Sequence, residues 1–71
     1  MNTKLEAKTR VMIGYKDGDS GVYFVQEDCK RFMNGLTAGF LHAGYLNFED
    51  VDGTHYWVNR DAVAVIQASP L

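Results

Sequence analysis

Cys29 is the only cysteine in the 71-residue chain. A disulfide framework within one chain is therefore excluded, and so is any zinc site that needs a second thiolate. A lone thiol suits a reducing setting, and a cytoplasmic location is the expectation that follows. Long apolar runs are missing too. None approaches the ~20 residues that cross a bilayer, and the polar start Met1-Asn2-Thr3-Lys4 has no secretory core, so no membrane association is expected. The seven glycines form neither a GxGxxG nor a Walker pattern, which leaves nucleotide cradling without support. No cofactor is implied. The net charge of −2 supplies no whole-protein attraction for nucleic acid.

What is present is apolar surface. The hydrophobic share is 46%, with one Trp, four Tyr and four Phe, which argues against disorder. A chain this short makes one domain with one modest core, burying only about 60% of its unfolded surface. Some of the remaining apolar area is expected to be covered by a second copy, making the protein a homo-oligomer. Charge is unevenly spread. Residues 1–16 carry +3, from Lys4, Lys8, Arg10 and Lys16 against Glu6. Residues 17–52 carry −5, from Asp17, Asp19, Glu27, Asp28, Glu49, Asp50 and Asp52 against Lys30 and Arg31. Most of these acids fall at turns or a helix start, where capping chemistry already favours them.

Residues 1–8 read as a frayed end or one helical turn. From Thr9 the pattern alternates, with Val11, Ile13 and Tyr15 on one face and Arg10, Met12 and Gly14 on the other, a strand signal. Asp17-Gly18-Asp19-Ser20-Gly21 breaks it, and the apolar run Val22–Val25 completes a first hairpin. The period then changes. Cys29, Phe32, Met33 and Leu36 form one helical stripe, predicting a helix over about 26–38 with Glu27 and Asp28 in its first turn. Gly39 is the expected left-handed cap and 40–44 the connector. Gly35 costs about 1 kcal/mol in a helix interior, a cost that close packing on a sheet would justify.

A second hairpin spans about 45–59 and turns at Asp52-Gly53. A two-residue loop would leave both of its faces mixed. A three-residue loop, Val51-Asp52-Gly53, gathers Leu46, Phe48, Tyr56 and Val58 on one face and matches a type I turn with a G1 bulge. One residue of slip would invert every side chain, so the three-residue loop is preferred. A corner at Asn59-Arg60-Asp61 and a last strand over 62–67 complete the order β-β-α-β-β-β. The expected fold is a small antiparallel α+β sheet of four or five strands with one helix packed across it. Its closing strand, corner and strand resemble the end of SH3-like small barrels, a likeness of arrangement that carries no function.

Catalytic and metal signals are weak. Cys29 near a helix start, with His42 or His55 and an Asp, has the residue types of a nucleophile system, yet it also begins the apolar stripe. The Asp17–Gly21 segment misses calcium-loop spacing, since Val22 stands where the obligatory glycine belongs. The strongest constellation is on the second hairpin. There the preferred register turns Trp57 away from the core, beside Asn47, His55 and Glu49, an aromatic with a polar collar as interaction hot spots have. Cover from the helix or the N-terminal segment would make it a second core instead. The reading is a non-catalytic interaction or regulatory protein with a protein partner, acting through an aromatic patch or sheet edge. The alternatives are single-stranded nucleic-acid binding, with Arg10, Lys16 and Arg60 near exposed aromatics, and an acidic inhibitor of a nucleic-acid-binding target.

Overall fold

Alternation from Thr9 onward produces strand β1 (Thr9–Tyr15), in which Thr9, Val11 and Ile13 are fully buried and Arg10 is exposed. The computed structural model describes residues 6–71 and places β1 at the centre of a three-stranded antiparallel sheet. β2 (Ser20–Val25) lies on one side of it and β5 (Val63–Pro70) on the other. A separate sheet pairs β3 (Tyr45–Glu49) with β4 (His55–Asn59). The order is the expected β-β-α-β-β-β, with the five strands divided between two sheets rather than set in one. Both inner faces and the helical segment meet in one core of Val11, Ile13, Val25, Phe32, Phe40, Leu46, Phe48 and Val58.

Of the start expected to be frayed or helical, residues 1–5 lie outside the described residues. Lys8 is already bonded into the sheet: its N–H donates to Val25 O at 2.9 Å and its carbonyl accepts from Leu71 N at 3.0 Å. The β1–β2 turn is shorter than its sequence suggests, because Ser20 and Gly21 belong to β2. Gly18 supplies the positive φ of 95° that the turn needs. Within β2 the apolar run divides between faces, with Val25 buried and Tyr23 packed on the core while Val22 and Phe24 stay exposed.

The second hairpin has the three-residue loop. Asp50 N–H donates to Thr54 O at 3.0 Å, Gly53 N–H donates to Asp50 O at 3.0 Å, and Gly53 sits at φ 88°. Leu46 pairs with Val58 and Phe48 with Tyr56, which puts all four toward the core. The Asp50 side chain accepts from Asp52 N at 2.9 Å and Thr54 N at 3.0 Å, fixing the turn from within. The corner after β4 is a 3₁₀ turn (Arg60–Ala62) capped by Asn59, whose Oδ1 accepts from Asp61 N at 2.9 Å. Through it β5 leaves the hairpin and joins the other sheet.

The helical segment departs from the expected 26–38 at both ends. It runs as α1 (Cys29–Gly35), a π-helical stretch (Leu36–Phe40) and α2 (Leu41–Ala43) without a break. Asp28 is the N-cap rather than a first-turn residue, its carboxylate accepting from Arg31 N at 2.9 Å. Glu27 precedes the cap, and its carbonyl accepts from the buried Thr9 hydroxyl at 2.7 Å. Gly39 does not end the helix. Gly44 does, at φ 86°, so most of the expected connector is helical. Phe32, Leu36 and Phe40 lie on the core side of this segment, and Met33 is exposed.

Close packing does not explain Gly35. Its backbone is ordinary helix, with φ −63° and ψ −37°, and a Cβ there would meet nothing within 4 Å. Gly35→Ala is therefore expected to stabilise the fold by about 0.5–1 kcal/mol, read as a higher urea midpoint. A lower midpoint would contradict the open space around that position.

One titration is tied to the fold. The Tyr15 hydroxyl lies 3.3 Å from that of Tyr23. Burial, reinforced by this hydrogen bond, pushes Tyr15 up to about 12 from the usual 10. Neutral Tyr15 thus contributes stability that is complete below pH 10 and is lost as pH rises through about 12. Phenolate absorbance should show one tyrosine titrating late, and Tyr23→Phe should bring it only part of the way back because the burial remains. A late titration unmoved by Tyr23→Phe would leave burial and the Asp19 and Asp17 charges as its cause.

Candidate functional site

The inward register of the β3–β4 hairpin decides what it shows to solvent. With Leu46, Phe48, Tyr56 and Val58 turned in, the alternate residues Tyr45, Asn47, Glu49, His55, Trp57 and Asn59 form the outer face, and all six are exposed. Trp57 is 65% exposed, so the helix does not cover it. Its ring stacks on Tyr45, with centroids 4.8 Å apart and planes 27° from parallel. Asn47 is the direct cross-strand partner of Trp57, and its Oδ1 accepts from His55 Nε2 at 2.7 Å. That bond requires the proton on Nε2 and holds the imidazole across the strands.

Both contacts run along the same diagonal of the antiparallel pair. Tyr45 faces Asn59 directly and reaches Trp57, while Asn47 faces Trp57 directly and reaches His55. Twist brings such diagonals within reach of long side chains. The result is a pre-ordered platform: two aromatic rings fixed by each other, beside an amide and an imidazole fixed by each other. Glu49, opposite His55, leans toward the turn at Gly53. The four residues singled out in the sequence therefore share one face. Tyr45, which the sequence reading passed over as the first residue of a strand arm, belongs with them. Its position two residues before Asn47 on the same face was the signal that would have included it.

Other candidates disperse. Cys29 and His42 stand at opposite ends of the helical segment, about 20 Å apart at 1.5 Å per residue. The Cys29 thiol lies 3.5 Å from Ala68 O on β5, and the His55 ring is engaged by Asn47. Among the described residues no three His, Cys, Asp or Glu side chains converge as a metal would need. Several acids of the middle section are occupied locally. Asp17 accepts from Asp19 N at 2.9 Å, Asp28 caps the helix, and Asp50 holds its turn while accepting from Tyr56 OH at 3.3 Å. Burial and the Asp50 carboxylate both raise the Tyr56 pKa. Arg10 lies on the outer face of the other sheet, opposite Phe24 and Ser69. Arg60, at the end of β4, donates from Nη1 to Leu41 O at 2.9 Å and lies 3.6 Å from Asp61.

A second exposed apolar surface backs the first. On the outer face of the three-stranded sheet, Phe24, Val22 and Val65 are exposed around half-buried Met12. Among the described residues no helix is long and apolar enough to cross a membrane. Fold and surface together define a small antiparallel α+β protein with an exposed aromatic platform. No family model, curated protein or solved structure matches the chain.

Proposed function

We propose that this is a non-catalytic interaction protein that binds a protein partner through the outer face of the β3–β4 hairpin. The observation that carries this reading is the Trp57–Tyr45 stack, solvent-facing and ordered before any partner arrives. Two rigid rings offer large contact area at little entropic cost, and the His55–Asn47 pair adds directional hydrogen bonds at their side. Self-association belongs to the same reading. β5 is the edge strand of its sheet and carries no charged side chain from Val63 to Pro70, so charge, one safeguard against pairing with another copy, is missing there.

Light scattering is expected to show a dimer or larger species. Trp57→Ala should leave the circular dichroism and melting midpoint nearly unchanged while weakening assembly or partner binding at least tenfold, as removal of an aromatic hot spot does. A strictly monomeric protein whose binding survives Trp57→Ala would sink the proposal. The stack also suits a nucleobase, which supports single-stranded nucleic acid as a second reading. That reading expects salt-dependent quenching of Trp57 fluorescence by oligonucleotides, and silence at low salt removes it.

A further inference from the structure

The other side of β3 is an open sheet edge. Asp50 and Thr54 form a hydrogen-bonded pair next to the turn, and in an antiparallel ladder such pairs alternate with non-bonded ones. Phe48–Tyr56 and Leu46–Val58 therefore exchange the ladder bonds. The backbone N–H and C=O groups of Tyr45, Asn47 and Glu49 point away from β4, where no further strand pairs among the described residues. Beside β3 lies a groove of ≈ 390 Å³ lined by Tyr45, Leu46 and Asn47 of the strand, by Gly35, Gly39 and Ala43 of the helical segment, and by Leu36 and Phe40. Neither glycine has a neighbour within 4 Å of where a Cβ would stand, and neither has a positive φ. They cost helix stability, and among the described residues no close packing requires them. Their effect is to keep the groove wide beside a row of unused backbone groups. Among the described residues Glu27 is the one charged residue lining it.

We infer that this groove receives an extended, cationic peptide segment of a partner protein, added to β3 as a third strand. The backbone of Tyr45, Asn47 and Glu49 specifies an occupant that is itself extended, because only a strand returns N–H and C=O groups at the matching spacing. Glu27 at the groove specifies a lysine or arginine on that strand. Five residues of β3 offer an edge of about 17 Å, room for a segment of about five residues. Alternate side chains of the added strand enter the groove over Leu36 and Leu46, and the others emerge on the outer face beside Tyr45 and Trp57. The inference thus rests on the reading of the hairpin as the binding surface, and it names the chemistry of the partner.

The test titrates the ¹⁵N-labelled full chain with acetyl-Lys-Thr-Val-Thr-Val-amide, whose lysine and two valines share one face of an extended strand. Strand addition predicts a dissociation constant on the order of 1 mM, with amide shifts concentrated at Asn47, Glu49, Gly35 and Gly39. The same peptide N-methylated at alternate residues should bind at least tenfold more weakly. Gly39→Leu should block the groove and Glu27→Lys should weaken binding several-fold, both with circular dichroism unchanged. No shifts, equal binding of the N-methylated peptide, or shifts confined to the β5 edge would each overturn strand addition. Shifts confined to His55 and the Trp57 indole overturn it too, while leaving the platform as the binding surface. If Trp57→Ala leaves binding intact and N-methylation abolishes it, the platform reading fails and the strand-addition site stands.

Discussion

Phe48→Ala is expected to remove a large part of the protein's folding stability. Phe48 is only 8% exposed and joins three separate elements. Its ring meets Phe32 of α1 edge-on at 5.8 Å, Tyr23 of β2 edge-on at 5.3 Å, and Tyr56 of β4 in a stack at 5.3 Å. Truncating a buried Phe costs about 3–5 kcal/mol, from lost transfer energy and from the cavity left behind. At about 0.05–0.15 kcal/mol per residue, a chain of this length has roughly 4–11 kcal/mol in all. One truncation thus removes a large part of the total. Circular dichroism and urea titration read the outcome, and Phe48→Leu, which keeps most of the volume, should cost only about 1–2 kcal/mol. An unshifted Phe48→Ala midpoint would mean that the two sheets are held together by something other than this ring.

Gly21→Ala comes next in size, and its cause is steric. A Cβ built on Gly21 would stand 2.7 Å from Cζ of Tyr23, closer than carbon atoms approach. The ring cannot swing aside freely, since Phe48 lies 5.3 Å away and Tyr56 4.7 Å away. Overpacking of this kind costs about 1–3 kcal/mol. The strain belongs to the pair, so Gly21→Ala should cost close to nothing when Tyr23 is already alanine. The coupling from that double-mutant cycle is the decisive quantity. If both backgrounds lose the same stability, the cost lies in the backbone at Gly21 and the steric account is wrong.

How much of this was legible differs from element to element. The β3–β4 register could be read because only one loop length segregates Leu46, Phe48, Tyr56 and Val58 from the polar alternates, and the ladder has that pairing. The same logic turned Trp57 outward, and it stands exposed. The helix end could not be read. Gly39 and Gly44 both look like caps, and composition does not say which of them takes positive φ. Phe40 continues the stripe of Cys29, Phe32, Met33 and Leu36 at the helical period, but Gly39 just before it reads as a stop. Division into two sheets was hidden for another reason. Strand pairing between distant segments leaves no mark on local periodicity, and β5 carries the same β-branched pattern whichever neighbour it takes. The groove beside β3 was out of reach as well, because it depends on what Gly35 and Gly39 do not touch.

The place of β1 between β2 and β5 also sets a timetable. Its partners in β2 follow within one short turn, whereas its partners in β5 come 48 to 61 residues later. Closing so long a loop incurs its entropy cost before any bond forms, so the first hairpin can assemble early while the central ladder waits. During that interval β1 has an open edge, the situation in which two unfinished chains exchange strands. Refolding is thus expected to wait on the arrival of Val63–Pro70, and a chain emerging from the ribosome cannot close its larger sheet until those residues are free.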